Sequence, residues 1–413
     1  MKRIGILGGT FNPIHLAHIM LAETAYAQLG LDKVLIMPSN NPPHKNADSL
    51  ASDEDRAQMV SLAVKGNEHL KFSDFELKRE GITYTSDTLT LLCEENPDTR
   101  YYFIIGADSL FKFDHWHEPE TILRKCALVC SGRGTVGSAE VRKQIEAIRD
   151  RYTRDDLIPE IYYVDLPATE ISSNLIRDLI SYEMPTEAYL APSVLKYIND
   201  HRLYLNGQFE AIKRDLKALL KPSRYRHSLS VAKTAVYLAM NIGYETYRPY
   251  LAGILHDCAK YMSDEEMLRA AEECDIELEP IEKRAVQLVH AKVGAHFAKS
   301  KYGVEDEEII SAIRYHTTGK PAMTTLEQLI YISDTIEPLR KWDNNTEPDM
   351  IRSVATSDLD RATYIILRRT FEYITRMYRD NVSDQTKQTY DYYRKLYEGR
   401  HPDKSEQFVP EKH

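Results

Sequence analysis

The first 205 residues alternate short apolar runs with amphipathic stretches. Short apolar runs predict buried strands, and apolar residues repeated every three or four positions predict helices packed on them. The predicted strands are 4–7, 34–37, 70–75, 101–105, 127–130 and 161–166, and the clearest helices between them are 14–29 and 53–64. Strands that alternate with helices predict an α/β domain with a parallel sheet, which binds ligands at the carboxyl ends of its strands. We assign this domain to residues 1–205.

From residue 209 onward every segment has helical spacing, and the Asn206-Gly207 dipeptide at the boundary is a turn signal. The predicted helices are 209–220, 228–241, 247–255, 264–274, 281–301, 306–315, 325–332 and 357–377. We therefore expect a second, all-α domain over residues 209–398. Residues 399–413 are polar and contain two prolines, so we expect a frayed tail there.

Length, composition and charge fit this division. The 413 residues exceed what one hydrophobic core usually serves, and 43% hydrophobic with 28% charged residues is ordinary for a globular protein. The net charge of −10 argues against general affinity for nucleic acid or an anionic membrane. The first residues lack the long apolar stretch of a signal peptide or membrane span, and the five cysteines form no CxxC pair. We expect a cytoplasmic protein with small-molecule partners; a homo-oligomer is compatible with the sequence.

A glycine-rich string, GGTFNPIHLAH at residues 8–18, directly follows the first predicted strand. Glycines let the backbone approach a phosphate, and free amides at a helix start bind anionic oxygens. We therefore predict that Gly8, Gly9 and Thr10 cradle a phosphate. The string lacks the GxGxxG fingerprint of dinucleotide-binding domains.

His15 and His18 stand three residues apart, so on the helix expected here both side chains share one face. The whole string resembles the signature of the (T/S)-x-G-H class of nucleotidyltransferases, with Asn12 and Ala17 in place of the commoner Asp and Gly. The resemblance implies a Rossmann-like nucleotidyltransferase domain in which His15 and His18 are catalytic. It also implies that Phe11 belongs to the nucleotide-binding residues.

A second fragment, EISSNLIR at residues 170–177, looks like the ISS-T-x-I-R signature of the same class, with Asn174 in place of Thr. Ser172 and Ser173 stand where a helix should begin, so their hydroxyls and the free amides can hold a triphosphate. Arg177 adds a planar, permanently charged group for phosphate oxygens.

Three further segments narrow the acceptor substrate. They are PPHK at 42–45, GITYTSDT at 81–88 and IGADSL at 105–110, the last followed by His115-Trp116-His117. Together they resemble nicotinate-nucleotide adenylyltransferases, and this similarity covers roughly residues 1–205. It implies that Lys45 meets phosphate.

The same resemblance implies roles for four more side chains. Trp116 would stack on the pyridine ring, and Thr85 would help to recognise it. Asp108 would lie near the ribose and adenosine, and Arg133 would contact the acceptor. An aromatic platform is physically reasonable, because stacking favours a flat, rigid ring.

The implied reaction needs no covalent enzyme intermediate. The phosphate of nicotinate mononucleotide attacks the α-phosphorus of ATP, and pyrophosphate leaves, giving deamido-NAD. The protein must align the substrates and stabilise charge on the phosphate oxygens. His15, His18, Lys45 and Arg177 suit that task, with Mg²⁺ carried by ATP.

The helical half concentrates histidines: five of the chain's 14 lie between residues 227 and 316. Four of them form an ordered series with two aspartates, namely His227, His256-Asp257, His290, His316 and Asp334. Such a series on successive helices indicates a metal site. Nitrogen and carboxylate ligands suit iron, manganese or a related divalent metal, and six ligands are enough for two.

This series resembles the HD phosphohydrolase superfamily over roughly residues 215–345, which implies an all-α HD-domain helical bundle. The HDCAK string at 256–260 and the SDTIEP string at 333–338 look like bacterial symmetrical bis(5′-nucleosyl)-tetraphosphatases. That group cleaves diadenosine tetraphosphate into two ADP and carries a di-iron centre. The match implies that Lys260 neutralises the polyphosphate, aided by Arg224. It also implies six metal ligands: His227, His256, Asp257, His290, His316 and Asp334.

Other functions stay open at this point. The first domain is also compatible with adenylyl or cytidylyl transfer to another acceptor, such as pantetheine phosphate. The helical domain is compatible with a regulatory nucleotide-binding module, or with a hydrolase of another nucleotide such as a guanosine alarmone. The sequence does not decide between nicotinate and nicotinamide mononucleotide.

Overall fold

The structure, a computed structural model, describes residues 1–40, 50–132, 137–166, 171–340, 342, 346–378 and 382–400. The chain separates into two units, Met1–Leu205 and a second that begins at Asn206. Each unit has its own hydrophobic core.

The first unit is built on a six-stranded parallel sheet with the order β3-β2-β1-β4-β5-β6. The strands are β1 (Lys2–Gly9), β2 (Lys33–Pro38), β3 (Leu70–Phe72), β4 (Thr99–Gly106), β5 (Cys126–Ser131) and β6 (Ile161–Tyr163). The predicted parallel α/β fold is confirmed. The strands β3 and β6 each end three residues earlier than predicted, because each lies at a sheet edge and pairs with one neighbour at only three positions.

Helices cover both faces of this sheet. Successive side chains of a strand point to opposite faces, and so Ile4 and Ile6 pack in one core whereas Leu7 packs in the other. The helices are α1 (Leu16–Leu29), α2 (Asp53–Val64), α3 (Thr85–Glu95), α4 (Ala107–Phe111), α5 (Pro119–Lys125), α6 (Ser138–Tyr152), α7 (Ser173–Ser181) and α8 (Pro192–Asp200).

The second unit is helical, as predicted. Its helices are α9 (Gly207–Leu219), α10 (Pro222–Asn241), α11 (Tyr247–Leu255), α12 (Asp264–Glu273), α13 (His290–Ser300), α14 (Glu307–Tyr315), α15 (Thr325–Ile336), α16 (Thr346–Ala355), α17 (Leu359–Tyr378) and α18 (Asp384–Arg400). None of the helices in the described ranges has both the length and the apolar character needed to cross a lipid bilayer.

One predicted helix is wrong in its first part. We expected a helix over 281–301, but α13 begins at His290, after a short 3-10 turn at Val286–Leu288. The carboxylate of Glu282 accepts hydrogen bonds from the backbone N–H of Glu279 at 2.8 Å and from Lys292 Nζ at 2.6 Å. A side chain that binds nearby backbone in this way competes with the helical hydrogen-bond pattern.

Two helices of the second unit approach closely at a glycine. A Cβ atom added to Gly253 of α11 would lie 2.6 Å from the Cα of Ala232 in α10. Because a backbone atom cannot easily move away, we expect Gly253→Ala to lower the free energy of unfolding by about 1–3 kcal/mol. Denaturant unfolding of the full chain measures this.

The matched control is Gly294→Ala in α13, where the nearest heavy atoms would lie at an ordinary 3.5 Å. We expect it to be neutral, or stabilising by up to about 1 kcal/mol through helix propensity. Equal destabilisation by the two substitutions would contradict the close-approach argument.

Candidate functional sites

A cleft of about 1080 Å³ opens at the carboxyl ends of β1, β2, β4 and β5 in the first unit. This is where a parallel sheet is expected to bind its ligand. Eight of the predicted site residues line it: Gly8, Gly9, Thr10, His15, His18, Thr85, Asp108 and Trp116.

The two histidines of the first motif stack on each other at the start of α1. The helix begins at Leu16, two residues later than predicted, and His15 is its N-cap in an extended conformation. The rings of His15 and His18 have centroids 3.6 Å apart and planes 22° apart. The backbone N–H of His15 donates to Nδ1 of His18 at 3.2 Å. In neutral His18 the proton is therefore on Nε2, the nitrogen that can donate to a phosphate oxygen.

Phe11, which we expected among the nucleotide-binding residues, is buried and does not line the cleft. Its ring meets His18 edge-on, with the centroids 5.0 Å apart. A Cβ atom on Gly9 would lie 3.2 Å from this ring. Phe11 therefore packs against the ring of His18 and leaves no room for a side chain at Gly9.

The second motif packs against the first, although the two are about 160 residues apart in the sequence. Ser172 caps α7, and its hydroxyl accepts the backbone N–H of Leu175 at 3.1 Å. The hydroxyl of Ser173 donates to the carbonyl of Pro13 at 3.0 Å, and Arg177 donates to the carbonyl of Asn12 at 2.8 Å. Ser173 and Arg177 thus hold the Asn12–Pro13 turn, and none of these three side chains lines the cleft in the described part of the chain.

Sequence reasoning missed Arg56, which is 1% exposed in α2. Its guanidinium donates to the carbonyls of Thr10 at 2.7 Å and Ser39 at 2.8 Å, and it also pairs with Asp53. Arg56 thus fixes two loops at the floor of the cleft. An arginine at an inward position of an amphipathic helix was the only signal for it.

A second aromatic pair lies beside Thr85 and Trp116. The rings of Tyr84 and His117 stack with centroids 4.2 Å apart, and both residues line the cleft. The hydroxyl of Ser86 lies 3.2 Å from Nδ1 of His117. Adjacency to the two predicted acceptor residues could have indicated this pair.

Two predicted residues of the first unit, Lys45 and Arg133, lie outside the described residues. The same holds for residues 41–49, which include the whole PPHK segment, and for Glu170, the first residue of the EISSNLIR fragment.

In the second unit, the six predicted metal ligands converge from five helices or helix ends. The carboxylate of Asp257 is their centre: Oδ1 lies 3.2 Å from Nε2 of His290, and Oδ2 lies 3.5 Å from Nε2 of His256. Nε2 of His227 lies 3.0 Å from Oδ1 of Asp334. Two triads with ligand atoms within 4.8 Å of one another share Asp257, namely His227-His256-Asp257 and Asp257-His290-His316.

The donor set fits divalent metal ions. His256, His290 and His316 each have Nδ1 bound to the backbone carbonyl three residues earlier, at 2.5–2.7 Å. Their Nε2 atoms are therefore directed to the shared carboxylate with the lone pair available. Nε2 of His256 is buried and has no hydrogen-bond partner in the described structure, as expected for an atom that serves as a metal ligand.

The charge state of the centre also suits metal binding. Burial opposes ionisation of Asp257, but His256 and His290 hold the pKa of its carboxyl well below the usual range. Burial, reinforced by His256 and His290, lowers the pKa of His316 to about 3. At neutral pH Asp257 is thus ionised and His316 is neutral, the forms in which both are ligands.

Three cations surround these carboxylates. Arg224 lies 2.7 Å from Asp257, and Arg340 lies 3.1 Å from Asp334. Burial, together with Arg224 and Arg340, lowers the pKa of Lys260. Arg340 was missed by sequence reasoning, although it stands six residues after Asp334 and close to the SDTIEP string.

The folds and the two sets of side chains define a nucleotidyltransferase domain joined to an HD domain. The family model of cytidylyltransferase-like proteins matches residues 6–179, and that of the HD domain matches residues 224–339. The chain belongs to the nicotinate-nucleotide adenylyltransferase family through its first half. A probable nicotinate-nucleotide adenylyltransferase of Lachnoclostridium phytofermentans is 38% identical over 205 residues, which is 50% of this chain and 100% of the relative.

Another relative spans both halves. A probable nicotinate-nucleotide adenylyltransferase/Ap4A hydrolase of Mycoplasma genitalium is 29% identical over 383 residues, 92% of this chain and 99% of its own. A crystal structure described as a predicted HD superfamily hydrolase involved in NAD metabolism from Clostridium acetobutylicum is 32% identical, with a TM-score of 0.43. It matches 46% of this chain and 97% of its own. The relatives and the two family models confirm the two resemblances inferred from the sequence.

Proposed function

We propose that this chain is a bifunctional enzyme. It transfers the adenylyl group of ATP to nicotinate mononucleotide, giving deamido-NAD and pyrophosphate, and it hydrolyses diadenosine tetraphosphate symmetrically to two ADP with divalent metals. The observation that carries the proposal is that one chain assembles both sets of side chains, and that a relative named for both activities matches 92% of it.

In the first site the mononucleotide phosphate supplies the nucleophile. The protein therefore needs only to align the two substrates and to stabilise the charge on the phosphate oxygens. An oxygen of that phosphate forms a bond to the α-phosphorus of ATP, and the bond to pyrophosphate breaks. The amides of Gly8, Gly9 and Thr10 and Nε2 of His18 donate to phosphate oxygens. Arg177 fixes the Asn12–Pro13 turn, which follows these amides, by donating to the carbonyl of Asn12. Lys45 adds a positive charge for the phosphates. Mg²⁺ accompanies the nucleotide and neutralises phosphate charge.

We assign Ser172 and Ser173 to the triphosphate through the backbone amides at the start of α7. Their hydroxyls do not take part, since they cap the helix and bind the carbonyl of Pro13. Asp108, an exposed side chain at the carboxyl end of β4, binds the ribose and adenosine side. Thr85 and Trp116, which line the cleft, bind the pyridine ring. Arg133 adds a positive charge for the acceptor. Trp116 is suited to stacking because Phe103 and Phe113 hold its ring, at centroid distances of 6.2 and 5.7 Å.

We expect Trp116→Ala to raise the KM for nicotinate mononucleotide about 10- to 100-fold, because stacking of a base on an aromatic side chain contributes about 1–3 kcal/mol. The KM for ATP should change by less than about threefold. Initial rates with each substrate varied in turn measure both values. Trp342→Ala, which changes the other tryptophan, is the control; a similar loss in that variant, or a rise in the KM for ATP alone, would contradict the assignment.

In the second site His227, His256, Asp257, His290, His316 and Asp334 hold two divalent metals, iron or manganese. Bound metals of this kind activate water and neutralise phosphate charge. Arg224, Lys260 and Arg340 form the positive side of the site and bind the phosphate oxygens of the substrate. All five cysteines are unpaired, which suits the reducing conditions of the cytoplasm, where these nucleotides occur.

The proposal is tested with one assay panel on the purified full chain. ATP is supplied with nicotinate or nicotinamide mononucleotide, and diadenosine tetraphosphate is supplied separately with Fe²⁺, Mn²⁺ or Mg²⁺. We expect deamido-NAD in the first assay and ADP as the sole product in the second. AMP and ATP as products, or fewer than about one metal per chain, would contradict the hydrolase half.

A further inference from the structure

We propose that Glu337 is a positioning residue of the second site: its carboxylate holds His227 in the tautomer and orientation that one of the two metals needs. The inference rests on the proposed metal centre. It concerns a residue outside the six ligands, at the C-terminal end of α15.

The four histidines of the site do not share the same support. Three of them bind a backbone carbonyl through Nδ1, the carbonyls being those of Gly253, Gln287 and Ile313. Nδ1 of His227 instead lies 3.0 Å from Oε1 of Glu337. Among the described residues, His227 is thus the one histidine of the centre that is supported by a carboxylate.

Glu337 is itself fixed in place. The residue is 1% exposed, and its Oε2 accepts the backbone N–H of Leu339 at 2.6 Å. It follows Asp334 by three residues, so a single stretch of chain carries both a ligand and the support of another ligand. This stretch is the last turn and the C-cap of α15, whereas His227 belongs to α10. The hydrogen bond therefore ties together the two helices that bring His227 and Asp334 within 3.0 Å.

A carboxylate partner has two effects on a ligand histidine. It accepts the Nδ1 proton, so that the lone pair is on Nε2, and it increases the electron density of the ring more than a neutral carbonyl does. Both effects act on the triad His227-His256-Asp257. The triad Asp257-His290-His316 does not contain His227. Loss of Glu337 should therefore weaken one metal and not the other.

In the test, the metal-free full chain is titrated with Mn²⁺ alone, and calorimetry measures the affinity of each binding event. The number of Mn²⁺ ions retained per chain is then measured after desalting. We expect two bound Mn²⁺ in the unchanged protein. In Glu337→Gln we expect one to bind about 10- to 100-fold more weakly, the usual loss when the supporting partner of a ligand is changed. Glutamine has one acceptor oxygen for the three donors around Glu337, which are His227, Ser230 and the backbone N–H of Leu339. Alanine has none, so Glu337→Ala should lose at least as much.

Glu327→Gln is the matched control. Glu327 is also 1% exposed and lies on α15, but it pairs with Lys320 at 2.7 Å and with Ser311. We expect this variant to unfold at a lower temperature and to bind both Mn²⁺ as the unchanged protein does. Two intact sites in Glu337→Gln, or equal loss of both metals in the two variants, would overturn the inference. An unchanged protein that binds no Mn²⁺ would overturn the metal centre itself, and the inference with it.

Discussion

Replacing His18 with alanine is expected to reduce adenylyl transfer about 100- to 1000-fold, the usual cost of removing one donor that stabilises a charged transition state. Nδ1 of this ring is occupied by the backbone N–H of His15, so Nε2 is the donor. The neighbouring rings of His15 and Phe11 restrict its orientation. Hydrolysis of diadenosine tetraphosphate should not change, because His18 belongs to the first unit.

The measurement is kcat/KM for deamido-NAD formation, with thermal unfolding as a check on folding. His201→Ala is the matched control: this exposed histidine of the first unit stacks on Tyr197 and does not line the cleft. We expect it to retain full activity. If His18→Ala lost both enzyme activities together, the assignment of the two reactions to separate sites would be wrong.

Asp257→Ala should reduce the hydrolysis of diadenosine tetraphosphate and leave adenylyl transfer intact, the reverse of the result expected for His18→Ala. Asp257 is the residue shared by the two metal triads, so its removal affects both metals at once. A bound metal supplies several kcal/mol of transition-state stabilisation, and about 1.4 kcal/mol is a factor of ten, so we expect hydrolysis to fall roughly 1000-fold or more. Adenylyl transfer should remain unchanged.

Hydrolysis rates and metal content are measured on the same preparation. The control is Asp360→Asn, which changes an acidic side chain of α17 that pairs with Arg400 and Gln328. It should retain metals and activity. Retention of two metals by Asp257→Ala would show that the centre is held differently from our assignment.

The elements of the fold were largely predictable, because local patterns specify them. The helices α2 and α11 have the bounds that their apolar spacing predicts, and each sheet strand contains its predicted apolar run in whole or in part. The exception at residues 281–289 arises because Glu282 binds backbone and Lys292, an effect of particular side-chain contacts that periodicity does not report.

The site residues also divide into those that the sequence predicts and those that it does not. Motif residues such as His18 and Asp257 were predictable because their types and spacing identify a reaction. A supporting residue such as Arg56 was not, because it acts through atoms far away in the sequence and has an ordinary residue type for its position. Glu337 lies within the SDTIEP string, but its contact with His227 joins two helices and is not reported by that string. Phe11 belongs to a motif, but the motif does not report that its buried ring packs against His18.

The close approach of α10 and α11 at Gly253 also bears on the second site. The carbonyl of Gly253 accepts the hydrogen bond from Nδ1 of His256, while His227 lies on the facing helix, five residues before Ala232. The residue at which the two helices touch is therefore also the support of a predicted metal ligand, so a side chain at position 253 would disturb helix packing and ligand orientation together.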